Sequence, residues 1–331
     1  MLLQLTVGLI LVAGMHPQDP SDSARRGRFT NTEQPSAGLP LGARIAFFAR
    51  RIWVSFVPRP GAAPRVSYDR AAMSRSPSIT WIGHATFLVR MDGVTFLTDP
   101  MFSDRAAPVS FAGPRRLVPP GVPLDSVPAP DFVLLSHDHY DHADVRTVRR
   151  LARRGVRFVV PLGLGDWVRR AGGSVIELDW WQDVQFGGVR IVCVPAQHFS
   201  GRSLGDHNRR LWAGWVVAGP TRRFYHTGDT GYSRTFAAIG ERLGPIDLAA
   251  VPIGAYRPAA MMHFVHTTPE EALRIGLDVG AHHIVAMHFG TFDLADEPLD
   301  EPPRRFLAEA ERLGLGADRA WVLRIGETRD W

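Results

Sequence analysis

The chain has 331 residues, of which 45% are hydrophobic and 21% charged, and its formal net charge at pH 7 is +5. This composition excludes a chain that is disordered throughout, and it is sufficient for one large buried core. The single cysteine, Cys193, excludes an intrachain disulfide.

All 38 basic side chains are arginines, because the sequence contains no lysine. Guanidinium groups match phosphate oxygens, so an arginine-rich surface suits anionic partners such as phospholipid headgroups. A GC-rich genome would produce the same bias without any function. The composition leaves both interpretations open.

Residues 1–15 form an apolar stretch that has the length of a signal-peptide core and is shorter than the roughly 20 residues needed to span a bilayer. No positive charge precedes it. Residues 16–40 are rich in proline, serine, glycine and aspartate, which is typical of a linker. We therefore interpret residues 1–40 as a signal or anchor segment followed by a linker.

Residues 41–78 are interpreted as an N-terminal extension. Within it, the run from Ile45 to Val57 is apolar and aromatic and contains two arginines, which predicts an amphipathic helix. Such a helix either rests on a membrane interface or packs on the main domain, and the pattern favours neither.

Short β-type runs begin at Ile79 and predict a main domain over residues 79–331. Asp92 and Gly93 indicate a tight hairpin turn between two of these runs. The strands predict two sheet halves, one before and one after about residue 200. The expected architecture is a β-sandwich with helices outside.

Two helices of this domain have clear boundaries in the sequence. One is predicted from Ala143 to Arg154, after a buried-type strand and a polar loop. The other begins with a capping box at Thr268 and ends at about Asp278.

The polar loop, HDHYDH, places four potential metal ligands within six residues: His137, His139, Asp141 and His142. In an extended loop alternate residues share one side, so two adjacent metal sites are geometrically feasible. The alternative is a solvated turn in which Asp141 and Asp144 only cap the following helix. Three histidines in one turn make that alternative poor.

His198, Asp229 and His288 each follow an apolar, strand-like run and complete a two-metal ligand set. We assign His137, His139 and His198 to one ion and Asp141, His142 and His288 to the other, with Asp229 bridging. Two divalent ions, two aspartates and a bridging hydroxide leave a charge of about +1, which a phosphodiester monoanion would neutralise.

This ligand order, together with WIGHAT, TDP, GDTGY and HFGTF, resembles the metallo-β-lactamase superfamily. The strings PLGLGDW, ELDWW, GPIDLAAVPIGAY, PEEALRI and EPP are similar to those of the N-acyl-phosphatidylethanolamine-hydrolysing phospholipase D family and its bacterial relatives, with a weaker echo in residues 27–31. The resemblance implies an α/β fold, specifically a four-layer αβ/βα sandwich. It also implies two zinc ions, with iron or manganese as alternatives, held by all seven residues.

The resemblance further implies roles for residues around the metals. His266 corresponds to a substrate-side histidine, so we predict it as a catalytic residue together with Asp141. His84 and Asp99 match positions behind the metals, where they would hold the ligand loops by hydrogen bonds. Tyr256 and Met261 are predicted to bind substrate. They belong to a set that could line an acyl-chain groove or simply pack in the core: Trp180, Trp181, Phe199, Tyr256, Met261 and Met262.

The implied function is a zinc-dependent phosphodiesterase of phospholipase D type. It would hydrolyse (N-acyl-)phosphatidylethanolamine-like lipids to phosphatidic acid and a headgroup alcohol by attack of a metal-bridging hydroxide. The alternative is a hydrolase of a lactone, thioester or amide on the same fold. A nuclease, a redox di-iron protein and a non-enzymatic binding protein are disfavoured.

The expected partners are a phospholipid substrate and a membrane surface, with a homodimer left open and nucleic acid not expected. The expected location is the cell envelope, membrane-associated or periplasmic, with the cytoplasm as the alternative.

Overall fold

The computed structural model describes residues 27–33, 40–57, 59–203 and 205–331. The apolar stretch 1–15 and most of the predicted linker lie outside the described residues. Within the described ranges, no helix combines the length and apolar character that a bilayer span requires.

The described residues form two seven-stranded mixed sheets. The first sheet contains β1 (Ser78–Gly83), β2 (Thr86–Met91), β3 (Val94–Thr98), β4 (Phe132–Leu134), β5 (Arg157–Pro161), β6 (Ser174–Leu178) and β14 (Thr328–Asp330). The second contains β7 (Asp183–Phe186), β8 (Val189–Val194), β9 (Gly214–Ala218), β10 (Arg223–His226), β11 (Leu248–Pro252), β12 (His283–Met287) and β13 (Ala320–Trp321).

Each sheet combines an antiparallel part with a parallel part. In the order β14-β1-β2-β3-β4-β5-β6, the pairs from β3 to β6 are parallel and the others antiparallel. In the order β13-β12-β11-β10-β9-β8-β7, the pairs from β13 to β10 are parallel. The division between the sheets falls near residue 180, so the predicted division near residue 200 is wrong. The reason is that the hairpin β7–β8 joins the second sheet.

The helices of the described chain are α1 (Leu41–Phe56), α2 (Arg70–Met73), α3 (Val145–Ala152), α4 (Gly165–Arg170), α5 (Thr235–Leu243), α6 (Ala259–Met262), α7 (Pro269–Asp278) and α8 (Glu301–Arg312). The first sheet is covered by α2 and α4, and the second by α7, which in turn contacts α5 and α8. The four-layer αβ/βα sandwich predicted from the sequence is therefore confirmed.

Both faces of the first sheet are buried. Since successive side chains of a strand point to opposite sides, neighbouring residues of one strand enter different cores. Phe87 and Val89 of β2 belong to the core between the sheets. Leu88, between them, packs in a second core with Val148 and Leu151 of α3. The two cores fix the order of the layers.

The local signals in the sequence are found where they were predicted. Asp92 and Gly93 have φ values of 46° and 82°, as a two-residue turn between β2 and β3 requires. The capping box of α7 is present, with Thr268 and Glu271 bonded reciprocally. Helix α3 is shorter at both ends than predicted, and at its start Asp144 caps it by accepting from the Arg146 N–H.

Residues 27–33 pack on the main domain, although the sequence predicts a linker there. Phe29 is 8% exposed and lies against Ala196, Leu211 and Trp212. A composition rich in proline and serine reports local flexibility, but it carries no information on a docking site far along the chain.

Helix α1 has two different faces. Phe47 and Val54 are buried, and Arg51 donates to Asp293 at 2.8 Å and to Asp296 at 2.7 Å. Of the two alternatives that the sequence leaves open, this face of the helix shows packing on the main domain. The opposite face exposes large apolar side chains to solvent: Leu41, Ile45, Phe48, Ile52, Trp53 and Phe56.

Candidate metal centre

The site lies at one edge of the sandwich, where the carboxyl ends of parallel strands from both sheets meet. The residues that converge there follow β3, β4, β8, β10 and β12 or lie in the β1–β2 turn: Asp99, His137, His139, Asp141, His142, His198, Asp229, His288 and His84. Strand ends lie at the edge of the hydrophobic core, so polar side chains are tolerated there. In α/β folds, binding sites form at these strand ends.

The HDHYDH loop is held at its start by backbone bonds. Leu135 N–H donates to the Val159 carbonyl, and Ala213 N–H donates to the Ser136 carbonyl. Asp144 caps α3, as the alternative interpretation of this loop supposed, but Asp141 turns into the site instead. The loop therefore presents its histidines and Asp141 together.

His137, His139 and His198 form the first group of potential ligand atoms. His139 Nδ1 lies 2.9 Å from His137 Nε2 and 3.1 Å from His198 Nε2. Three nitrogens bound to one zinc ion at about 2.1 Å would be separated by roughly 3.4 Å. The spacing is thus close to that of a shared tetrahedral ion.

Hydrogen bonds determine which nitrogens of this group carry protons. His137 Nδ1 lies 2.9 Å from Ser136 Oγ, which itself donates to Asp99, and His198 Nδ1 donates to the Val265 carbonyl at 2.8 Å. Both Nε2 atoms therefore carry lone pairs that point at His139 Nδ1. One proton on that atom can satisfy only one of them, whereas a cation satisfies all three.

Asp141, His142 and His288 form the second group, with His84 beside them. Asp141 Oδ2 lies 3.5 Å from His142 Nε2 and 3.4 Å from His288 Nε2. His84 Nε2 donates to the same oxygen at 2.8 Å, which orients the carboxylate. His84 therefore lies where the sequence predicts it, behind a ligand.

Asp229 lies between the two groups. Its Oδ2 is 3.0 Å from His288 Nε2 and 3.2 Å from His142 Nε2, and it is 4.0 Å from His137 Nε2 and 3.9 Å from His198 Nε2. This single oxygen approaches nitrogens of both groups, as expected of the predicted bridging ligand.

The electrostatics of the first group favour neutral imidazoles. Burial lowers the pKa of His139 to about 4 and that of His198 to about 3, and it holds the pKa of His137 well below its usual range. Metal ligands must offer an unprotonated nitrogen, so these three histidines are already in the required state at neutral pH.

The second group shows the opposite behaviour. Burial by itself lowers the pKa of His288, but the carboxylates of Asp229 and Asp141 outweigh it and raise the pKa to about 9. The same balance, led by Asp229, raises the pKa of His142 well above its usual range. The two buried carboxylates therefore favour a positive charge, carried by a protonated histidine or a metal ion, beside His142 and His288.

Asp99 connects the ligands of both sheets. Its Oδ2 accepts from His142 Nδ1 at 2.8 Å and from His226 Nε2 at 3.0 Å, and its Oδ1 accepts from Ser136 N–H at 2.7 Å. Burial opposes ionisation of Asp99, but the neighbouring imidazoles hold its pKa below the usual range. By binding Nδ1 of His142, Asp99 leaves Nε2 of that ring free for a metal.

Three residues of the site have positive φ values although they are not glycine: His84 (55°), Asp99 (34°) and His288 (62°). Such backbone conformations cost free energy and persist only where surrounding contacts impose them. His84 N–H donates to Thr291 Oγ1, and His288 N–H donates to the His84 carbonyl. These bonds hold the strained residues in place.

His266 is buried beside His198 and Asp229, and its predicted role toward the substrate stays a prediction. Its Nδ1 is buried without a hydrogen-bond partner, 4.0 Å from Asp229 Oδ2, and burial lowers its pKa to about 3. Phe199 is also at the site, with its ring centroid 4.5 Å from that of His139.

The other apolar residues predicted to contact substrate are dispersed. Tyr256 is 2% exposed and donates its hydroxyl to Glu301 at 2.7 Å. Met261 and Met262 pack in the cluster that contains Phe47 of α1. The predicted role of Tyr256 and Met261 in substrate binding stays a prediction.

Trp180 lies away from these two residues. It packs beside Phe29 and donates to the Trp212 carbonyl, and Trp181 lies beneath Arg242. Core packing, the alternative interpretation in the sequence, describes both tryptophans.

Three residues that contact the site are absent from the sequence prediction. Ser136 and His226 bind Asp99, and Asn31 binds the backbone of His198. His226 could have been identified, because it ends an apolar strand three residues before Asp229. Ser136 carries no comparable signal, and Asn31 lies in the string of residues 27–31 that resembles the family, which does not indicate a contact with His198.

The residues present fit a metal centre. Buried atoms that find no hydrogen-bond partner converge on one small volume: His142 Nε2, His288 Nε2, Asp229 Oδ1 and His266 Nδ1. Buried polar atoms are rarely left unpaired, and imidazole nitrogens with carboxylate oxygens are the donors that zinc and iron prefer.

The comparisons with known proteins agree with this geometry. The model of the beta-lactamase superfamily domain matches residues 95–289, more than half of the chain. An uncharacterized protein of Mycobacterium tuberculosis is 47% identical over 261 residues, which cover 77% of this chain and 68% of the relative. N-acyl-phosphatidylethanolamine-hydrolyzing phospholipase D 1 of Caenorhabditis elegans is 44% identical over 243 residues, which cover 70% and 68%.

A solved structure has the same fold. Igni18, a metallo hydrolase from Ignicoccus hospitalis, matches with a TM-score of 0.58 at 24% identity, over 76% of this chain and 97% of that one. Fold and site together define a metal-dependent hydrolase with a His/Asp metal-binding cluster. The chain belongs to the metallo-β-lactamase superfamily and, within it, to the family of the N-acyl-phosphatidylethanolamine-hydrolysing phospholipases D.

Proposed function

We propose that the protein is a two-metal, zinc-dependent phosphodiesterase of phospholipase D type. It cleaves (N-acyl-)phosphatidylethanolamine-like phospholipids into phosphatidic acid and a headgroup alcohol. The observation that carries the proposal is the arrangement of two ligand groups around Asp229 in a chain 44% identical to a phospholipase D of this family.

The ligand groups would divide two ions as the sequence predicts. His137, His139 and His198 would hold one ion, Asp141, His142 and His288 the other, and Asp229 both. Two bound divalent ions acidify water and offset the negative charge of a phosphodiester.

The chain's own residues would set the charge of the pocket and hold the substrate in place. Asp141, oriented by His84, and Asp229 supply the fixed negative charge that sets the charge balance of the pocket. His266, neutral at pH 7, can donate or accept a hydrogen bond at Nδ1 without adding charge. It is therefore suited to hold a polar group of the substrate beside the reacting phosphate.

We also propose that the exposed face of α1 rests on a membrane surface. Ile45, Ile52 and Trp53 are 61%, 64% and 66% exposed, and Arg44 is exposed on the same helix, whereas the guanidinium of Arg50 binds Asp296. Exposed apolar side chains beside an arginine match the headgroup region of a bilayer, with the Arg44 guanidinium near lipid phosphates. A location at the cell envelope would follow.

The position of α1 supports a lipid substrate. Its buried side chain Phe47 packs with Met262, four residues before His266, and Arg51 binds Asp293, five residues after His288. The apolar face is therefore carried by a helix that is tied to the segments flanking the metal centre. A lipid could pass from a bilayer to the site over a short distance.

Incubation of the purified protein with mixed phospholipids tests the main proposal. Metal analysis should find two zinc ions per chain, and lipid mass spectrometry should find phosphatidic acid. The variant His198→Ala should lose the product by at least a thousandfold. Hydrolysis of lactones, thioesters or amides without phosphatidic acid would contradict the proposal and support the acyl-hydrolase alternative.

A further inference from the structure

We propose that Asn31 is a positioning residue for the metal ligand His198, and that residues 27–33, called the strap below, carry it. Asn31 Nδ2 donates to the His198 carbonyl at 2.8 Å, and His198 N–H donates to Asn31 Oδ1 at 3.0 Å. One side-chain amide thus binds both backbone groups of a ligand that lies 167 positions away. A neighbouring β-strand would bind the backbone in the same way.

The orientation of the Asn31 amide is fixed by a third bond. Trp212 Nε1 donates to Asn31 Oδ1 at 2.9 Å, and the same nitrogen lies 3.0 Å from the Ala196 carbonyl. A flipped amide would face two donors with its own NH2 group, so this orientation is the one that satisfies every partner.

The strap is seated on both sides of His198. Phe29 is buried against Ala196 and Leu211, and its N–H donates to the Asn208 carbonyl at 2.7 Å. On the other side, Gln197 Nε2 donates to the Glu33 carbonyl at 3.0 Å. Asn31 is therefore held in place by its neighbours and does not depend on its own three bonds alone.

His198 needs such support because it lies beyond the end of β8, where the ladder with β9 no longer binds its backbone. Its ring is oriented separately, by the bond from Nδ1 to the Val265 carbonyl. With the backbone held by Asn31 and the ring by Val265, Nε2 has one direction, toward His139 Nδ1. Partners of this kind tune metal affinity without touching the metal.

The two bonds between the Asn31 amide and the backbone of His198 act on one ligand group only. Within the part of the chain that the structure describes, no hydrogen bond joins the strap to Asp141, His142 or His288. Loss of Asn31 should consequently weaken one metal site and leave the other unchanged.

Competitive titration with a zinc chelator, applied to the full chain, tests this inference. In Asn31→Ala, the ion held by His198 should bind about 10- to 100-fold more weakly, and the affinity of the second ion should be unchanged. Asn31→Asp keeps the acceptor for His198 N–H but turns a carboxylate oxygen toward the His198 carbonyl, so its loss should be at least as large. Arg28→Ala, which removes only a solvent-exposed strap contact to the His207 carbonyl, is the matched control and should behave as wild type.

Cobalt substitution gives a readout independent of activity. The visible spectrum of Asn31→Ala should change for one cobalt ion, because the direction of one imidazole nitrogen changes. Unchanged affinities and spectrum would overturn the inference. So would an equal weakening of both ions with a lower Tm of the metal-free protein, since that is the signature of general destabilisation.

The inference rests on the two-metal assignment proposed above and not on the substrate. A wild-type stoichiometry below two would contradict the proposed function. In that case, the role of Asn31 is tested by measuring, in Asn31→Ala, the affinity of the ion whose binding is lost in His198→Ala.

Discussion

Asp99 illustrates how a residue that would not touch a metal can govern a metal site. Its carboxylate binds Ser136, His142 and His226, and through Ser136 it reaches His137. One ligand of each group is therefore oriented by the same buried acid. The strength of these bonds depends on the negative charge of Asp99, because bonds to an ionised acceptor are roughly twice as strong as neutral ones.

We predict that Asp99→Asn weakens the binding of both ions by about 10- to 100-fold while the chain still folds. The amide has the size of the carboxylate but no charge, and its NH2 group would face donors. Chelator competition measures the affinities. Asp131→Asn, an exposed aspartate that accepts from Thr95 N–H, is the control and should have no effect on either ion. Wild-type affinity in Asp99→Asn would contradict the proposed role.

The pKa values of the site predict how the stability of the metal-free protein depends on pH. The pKa of His139 is lowered to about 4, and those of His84, His198 and His266 to about 3. The unfolded chain binds protons on these residues near pH 6.5, where the folded chain does not. Stability should therefore fall as the pH falls from about 6.5 toward 3.

His288 acts in the opposite direction, because its pKa is raised to about 9. Its contribution is fully present below about pH 6.5 and is lost as the pH rises through about 9. Chemical denaturation of chelator-treated protein should thus give maximal stability near pH 6.5. Added zinc should reduce the alkaline loss, since bound ligands carry no proton. Stability that rises steadily from pH 6.5 to 9 without metal would contradict these assignments.

At the scale of elements, the N-terminal extension shows what a sequence pattern can and cannot indicate. The apolar spacing of residues 45–57 predicts a helix, and α1 is present there. The pattern could not decide between packing and membrane contact, because an apolar stripe identifies a face that avoids water but not what covers it. The structure buries Phe47 and Val54 and leaves a second apolar face uncovered.

We predict that this second face binds lipid vesicles. Trp53→Gln and Ile45→Gln should each weaken co-sedimentation with vesicles that contain anionic lipid by roughly tenfold or more, because burying such a side chain is worth about 1.5–3 kcal/mol. Leu277→Gln, which likewise replaces an exposed apolar side chain by glutamine at a 41% exposed position of α7, is the control. Unchanged vesicle binding together with a shift from dimer to monomer would show instead that this face joins two copies of the chain.

The strap shows a different limit of sequence reasoning. Residues 27–33 have the composition of a linker, yet Phe29 and Asn31 dock on the loop that carries His198. Helix caps and hairpin turns are predicted well because all their partners lie within a few positions, as at Thr268 and Asp92. A contact across 167 positions leaves no such local trace.

For the whole molecule, the sequence predicts the layered fold and the seven ligands because both depend on the same feature, apolar strands that end in polar residues. The ends of β3, β4, β10 and β12 meet at one edge, and the ligands meet with them. What the sequence does not predict is the arrangement behind them. The bonds from Ser136 and His226 to Asp99 depend on how the two sheets are stacked, which no single strand encodes.

In the proposed reaction, water attacks the phosphorus of a phospholipid at this site, and hydrolysis in heavy-oxygen water tests this step most directly. The wild-type protein with zinc, given an N-acyl-phosphatidylethanolamine, should release phosphatidic acid that carries one oxygen-18 atom and an unlabelled headgroup alcohol. His266→Ala should slow this reaction about 100-fold or more while two ions stay bound. Oxygen-18 in the headgroup alcohol, or in a free fatty acid with the phosphodiester left intact, would contradict attack at phosphorus.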